Sequence, residues 1–182
     1  MKVEMHLCGV EDKFIINNIY PLYLYDLSEI WGHQTNRYGV FEEDDTQTLT
    51  EQNRFFDIWW EHPGVLFPYL IKVDDLPAGL AFVATPPYTP CPSYINYYLN
   101  EFFLLRQYRG KGVGEQAIRQ LIDKMPGHWE LQTNPTNRNG RAQKFWRKTL
   151  DACTNGSYNE ELGHHPEQGE KLVFRFQIIS SK

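Results

Sequence analysis

Residues 101–114 read EFFLLRQYRGKGVG, and this stretch restricts the fold of the chain more than any other. An apolar extended run passes directly into a turn with glycines at 110, 112 and 114 and cations at 109 and 111. A helix pattern opens at Gly112, runs to Met125 and stops at Pro126-Gly127. A strand, a glycine-rich turn and a helix in direct succession fit a mixed α and β layout. Glycines remove Cβ atoms where a ligand has to approach the backbone. The free N–H groups and dipole of a helix start favour an anion. With Arg109 and Lys111 beside it, the turn suits a diphosphate.

The flanking segments complete a mixed pattern. Residues 2–10 alternate as a first strand, and 13–30 suit one helix or two pieces with Pro21 near a kink. A second helix is expected from 48 to 62, capped by Thr50 and stopped by Pro63. Residues 65–73 and 78–84 read as a hairpin around Asp74-Asp75, and 95–106 as a strong strand interrupted at Asn100-Glu101. A strand at 128–133, a helix from Asn137 or Asn139 to about 150 and a last strand at 171–179 follow. The polar stretch 154–170 reads as loop or hairpin. The order β-α-α-β-β-β-α-β-α-β is an α+β fold with no repeat or long linker, so one domain is expected over 1–182.

Composition excludes several classes. The three cysteines at 8, 91 and 153 show neither metal-ligand spacing nor a disulfide framework, which suits a reducing cytoplasm. No metal is expected: His164 and His165 are adjacent, read as solvated loop residues, and lack further ligands. Cys153 has no His or Asp partner to activate it as a nucleophile. There is no signal peptide pattern and no run long enough to span a membrane. The pI of about 5.7 and the lack of a basic stripe argue against nucleic acid. Charge is uneven: residues 1–100 carry 14 acidic and 5 basic side chains, net −9, and 101–182 carry 9 and 13, net +4. Two ligand surfaces of opposite sign are one reading of this asymmetry.

Three glycine-rich motifs compete for the turn. A Walker A loop needs Ser or Thr after Gly-Lys, which is absent. A dinucleotide fingerprint fails at Glu115. Arg109-x-x-Gly112-x-Gly114 matches the R/Q-x-x-G-x-G/A loop of the GNAT acetyltransferases, with strand before and helix after. Asn139-x-x-Ala142-x-x-Phe145-Trp146 follows that superfamily's N-x-x-A-x-x-F-Y pattern up to its last position. The chain therefore resembles the GNAT superfamily over roughly 65–150, with 1–64 as the acceptor-side strand and helices, 65–150 as the acetyl-CoA core and 151–182 as a C-terminal loop and strand. Within it, 101–147 looks especially like a group of small bacterial acetyltransferases.

The resemblance implies a twisted, mostly antiparallel mixed sheet flanked by helices and splayed where acetyl-CoA enters. It implies that backbone groups around Phe103 and Leu105 pair with the pantetheine arm. Amides of Arg109, Gly110, Lys111, Gly112, Val113 and Gly114 would hold the pyrophosphate. Asn139, Phe145 and Trp146 would border the cofactor. The reaction implied is direct attack by a primary amine on the thioester. Glu101, an acid inside an apolar strand, is the candidate base, since burial would raise its pKa. A backbone N–H near Leu104 is the candidate oxyanion donor. The family's usual tyrosine acid is replaced by Trp146, whose indole donates but does not titrate. Another tyrosine such as Tyr158, or water, would then supply the proton, and a non-catalytic acyl-CoA-binding module is the rival reading.

The helices of 1–64 are expected to cover the acceptor. Asp44, Asp45, Asp57 and Trp60 would make an acidic, aromatic cover suited to a cationic small-molecule amine. The alternative for the acidic run 42–45 is a solvated loop. Relatives of this kind are often dimers, so a homodimer is an expected assembly.

Overall fold

The computed structural model describes residues 1–41, 45–165 and 168–179. Seven strands form a single sheet: β1 (Val3–Leu7), β2 (Leu66–Val73), β3 (Leu76–Ala84), β4 (Tyr97–Leu104), β5 (Gly127–Thr133), β6 (Tyr158–His165) and β7 (Gly169–Ile178), in the order β1-β2-β3-β4-β5-β7-β6. Every neighbouring pair is antiparallel except β4 with β5. The helices are α1 (Lys13–Trp31), α2 (Leu49–Asn53), α3 (Ile58–Glu61), α4 (Val113–Lys124) and α5 (Gly140–Thr154). No helix of the described residues is long and apolar enough to cross a membrane.

Strand alternation divides the apolar side chains between two cores. Ile71, Ala81, Val83, Leu131 and Phe174 face α4 and α5, which contribute Val113, Ala117, Ile118, Leu121, Ile122 and Leu150. Leu70, Leu80, Phe82 and Phe103 face the other way, against Ile16, Ile19, Tyr20 and Tyr23 of α1 and Trp59 of α3. The stripe at 113, 117, 118, 121 and 122 follows the helical period, and these positions lose nearly all solvent contact.

Several local expectations change. Residues 13–31 form one helix that passes through Pro21 and ends on Gly32, which is left-handed and donates its N–H to Ser28 at 2.8 Å. The second helix is broken into α2, a 3₁₀ turn and α3. Its cap is Thr48 rather than Thr50. Thr48 and Glu51 form a reciprocal capping box, each side chain accepting from the other's backbone N–H at 3.2 Å. The polar stretch after α5 is strand β6, an edge strand paired along its length with β7, and this places His164 and His165 in a strand, not a loop.

Two features of β4 shape the centre of the sheet. Phe82 pairs with Glu101 and Val83 with Leu99, so Asn100 is an extra residue, a bulge. The bulge shifts the alternation: Leu99 and Phe102 face the α4 side, while Asn100 and Glu101 both reach a cavity on the α1 side. On its other flank β4 pairs with β5 only at Tyr97–Leu99 against Trp129–Leu131. Beyond that point the two strands diverge and leave a gap.

Candidate active site

The glycine-rich turn lies at the mouth of the gap. Gly110 and Gly112 have φ of 72° and 76°, the left-handed region that glycine enters without strain. No atom lies within 4 Å of where a Cβ on Gly110 would be, and only Gln116 Nε2, at 3.8 Å, is near that point on Gly112. Gly112 caps α4, so the amides of Val113, Gly114 and Glu115 have no partner within the helix. Gly114 does different work. A Cβ there would stand 2.9 Å from Phe145 Cε2 and 3.3 Å from Leu104 Cδ1, so its bare backbone lets α4 pack on α5.

The cations of the turn are also divided. Lys111 is exposed. Arg109 is turned to α1: its guanidinium pairs with Asp26, donates through Nε to the Leu104 carbonyl at 2.7 Å and rests 5.1 Å from the Phe103 ring. Arg106 joins the same carboxylate at 2.9 Å. Asp26 thereby fastens α1 to the end of β4.

Backbone parity corrects the expected pantetheine contacts. The Leu105 amide donates to the Ala78 carbonyl at 2.9 Å, and its carbonyl accepts from Tyr108 at 2.9 Å. The Phe103 carbonyl faces Gly79 of β3. By alternation, Phe102 and Leu104, not Phe103 and Leu105, turn their backbone groups to the gap. Asn139 is buried and borders the cavity, with its amide donating to Thr133 Oγ1 at 2.7 Å and to the Asn134 carbonyl at 3.0 Å. Phe145 stacks on Phe102 at 5.8 Å, and Trp146 packs edge-on against Phe102 at 5.4 Å inside the α4–α5 core. Trp146 therefore sits in the position of a core aromatic.

On the α1 side of the sheet, at the splay, is a cavity of about 550 Å³. Tyr20, Tyr23, Leu24, Leu27 and Trp31 of α1 form one wall. Tyr98, Asn100 and Glu101 of β4, Gln132 and Thr133 of β5, and Lys171 of β7 line it from the sheet, and polar side chains including His33, Asn134, Asn139 and Gln168 contribute as well. Burial pushes the Glu101 carboxyl up to about 7, against the opposing effects of a hydrogen bond from the Tyr23 hydroxyl and the charge of Lys171. Burial likewise lowers the Lys171 ammonium to about 8, with Glu101 acting in the opposite sense. Tyr23 and Tyr98 are held protonated, first by burial and then by the nearby Glu101 and, for Tyr98, Cys91. Tyr158 lies outside this cavity, against Phe174 of the opposite core.

The expected acidic cover is placed elsewhere. Asp57 pairs with Lys13 at the start of α1. The Lys13 ammonium stands 5.0 Å from the Trp60 ring, and the Trp60 indole donates to the Cys8 carbonyl at 2.9 Å. Neither Asp57 nor Trp60 lines the cavity. Asp45 is exposed, and Asp44 lies outside the described residues. Tyr23, Tyr98, Gln132 and Lys171 were not expected at the site. Only the apolar run 172–174 beside Lys171 hinted that this lysine would be buried.

Residues 24–151 match the model of the acetyltransferase (GNAT) family, and the chain belongs to that family. No curated protein matches it. Among solved structures, an acetyltransferase from Thermus thermophilus superposes with a TM-score of 0.65 at 11% identity, covering 98% of each chain. An aminoglycoside acetyltransferase in complex with ribostamycin and coenzyme A gives 0.65 at 14% identity, covering 97% of this chain and 94% of that one. A spermidine N-acetyltransferase from Vibrio cholerae gives 0.60 at 10% identity, covering 96% and 93%. The mixed, open sheet is the fold of this family.

Proposed function

We propose that the chain transfers an acetyl group from acetyl-CoA to a primary amine of a small molecule, by direct attack and without an enzyme-bound acyl intermediate. Bound acetyl-CoA supplies an activated thioester. The residues fit it: open space beside Gly110 and Gly112, unpaired amides at the start of α4 and an unpaired stretch of β4 suit a pyrophosphate and an extended arm. Lys111 adds an exposed cation at the same mouth.

The observation that carries the reading is Glu101, a carboxyl brought to about 7 at the place where β4 leaves β5. An amine reaches the cavity as an ammonium cation and must lose a proton before its nitrogen can attack. A carboxylate poised near neutral pH accepts that proton with good driving force. Tyr23 holds Glu101 through its hydroxyl and is a positioning residue. The Leu104 N–H, turned to the gap, is the oxyanion donor in this scheme. With Trp146 in the core, water is the proton source for the thiolate in this scheme, because burial makes Tyr98, the tyrosine of β4 that lines the cavity, a poorer acid than an ordinary phenol.

Thiol release from acetyl-CoA over a panel of primary amines tests the proposal. Amine-dependent release that falls by about 100-fold or more in Glu101→Gln is the expected result. Binding of acetyl-CoA with no amine-dependent release would instead make the chain a non-catalytic acyl-CoA module.

A further inference from the structure

The cavity beside Glu101 presents groups of both signs. Lys171 is 5% exposed, a buried cation directly before the apolar run 172–174 of β7. Its ammonium donates to Gln168 Oε1 at 2.6 Å and lies over the Trp31 ring at 4.0 Å. An ammonium has three donors, and among the described residues no direct ion pair joins Lys171 to Glu101 or to any other carboxylate. A buried cation without a matching anion is a costly arrangement. On the neighbouring strand β5, where Gln132 pairs with Val173, Gln132 gives its amide hydrogen to Glu130 at 2.7 Å. The Gln132 carbonyl oxygen is buried with no hydrogen-bond partner among the described residues. Among the described residues the Gln132 oxygen is thus an acceptor without a donor, Glu101 accepts from the Tyr23 hydroxyl, and Lys171 is a donor without a paired anion. The same cavity also offers apolar and aromatic side chains, among them Tyr20, Leu24, Leu27 and Tyr98.

We infer that the acceptor is an amino carboxylate with an apolar or aromatic body, its ammonium set against Glu101 and Gln132 and its carboxylate against Lys171. This rests on the acetyl-transfer reading of the same site and narrows it. A single ammonium with a carboxylate is neutral overall and meets both the acceptors and the cation of the cavity. A polyamine brings extra positive charge toward Lys171 and leaves the lysine unpaired.

Matched acceptors that differ only in the carboxylate test this: L-phenylalanine against phenethylamine, L-leucine against 3-methylbutylamine, and spermidine as a polycation. In the 182-residue chain the carboxylate member of each pair should be preferred by about 10-fold or more in kcat/KM, as expected for one charge-assisted contact. Lys171→Met should reduce the preference to within about 2-fold, and Lys171→Arg should retain part of it. Equal rates within pairs, or a preference for spermidine, would overturn the inference. A second measurement does not depend on turnover. N-acetyl-L-phenylalanine should raise the Tm of the wild-type protein, N-acetylphenethylamine should not, and Lys171→Met should lose the difference while keeping a cooperative melt. Carboxylate-dependent stabilisation without thiol release would support the cavity assignment and remove the catalytic reading; the absence of carboxylate dependence in both assays would refute the assignment.

Discussion

The turn that opens α4 and the cavity against α1 flank the same gap in the sheet, yet they are built differently. The turn is a local object. Gly110, Gly112 and the amides that follow come from a few consecutive residues, and their backbone conformation does the work. The cavity is a long-range object. Tyr23 meets Glu101 across 78 positions of sequence, and Lys171 reaches Trp31 from the opposite end of the chain. Its side chains matter through burial and mutual charge, not through backbone shape. The turn is thus suited to a constant ligand held by amides, and the cavity to a particular one chosen by side chains.

Damage to one region should leave the other working. The largest effect is expected from Glu101→Gln, a loss of about 100- to 10,000-fold in kcat with the KM for acetyl-CoA unchanged. In the wild type, kcat/KM should rise as pH passes about 7, where Glu101 loses its proton, and fall above about 8, where Lys171 loses its charge. Lys171→Met should remove the upper limb. A flat profile from pH 6 to 9 would contradict both assignments.

Gly112→Glu should weaken acetyl-CoA binding by about 100-fold or more, because it puts a like charge at an anion site and a side chain at positive φ. Calorimetry with coenzyme A reads the loss. Stabilisation by N-acetyl-L-phenylalanine should survive this change; if it vanishes as well, the two regions are not independent.

Stability separates them further. Because the folded-state pKa of Glu101 is raised, its contribution is fully present below the unfolded value near 4.5 and is lost as pH rises through about 7. Glu101→Gln should therefore gain stability relative to wild type between pH 5 and pH 8, by about 1–3 kcal/mol, seen as a Tm difference that grows with pH. Gly114→Val should cost about 1–3 kcal/mol through overpacking against Phe145, with no such pH dependence. Asp57→Asn breaks a partly exposed pair with Lys13, so stability should fall by no more than about 1 kcal/mol. The acceptor KM should stay within about 2-fold. A large KM increase would return Asp57 to the acceptor site.

Much of the fold was legible because it rests on local pattern. The stripe 113–122, the hairpin 66–84 and the strand-turn-helix around Gly112 announce themselves through period and glycine chemistry. Boundaries were less legible where competing caps lay close together, as at Thr48 and Thr50. They were also obscure where an edge strand carries polar residues on both faces, as β6 does beside β7. Its pairing partner, not its own hydrophobic pattern, makes it a strand.

Sequence by itself determined the class of fold, the glycine turn and the suspicion attached to Glu101, since a carboxyl inside an apolar run is unusual wherever it lands. Tertiary structure alone decided which backbone groups of β4 face the gap, because the bulge at Asn100 sets the parity and no composition reveals it. It also decided the fate of charges. Asp57, placed by its sequence neighbourhood over the acceptor, is neutralised by Lys13, while Lys171, which only the apolar run after it sets apart in the sequence, arrives near Glu101. The physical reason is that burial and pairing are properties of a side chain's spatial neighbours, and those neighbours come from strands and helices far apart in the chain.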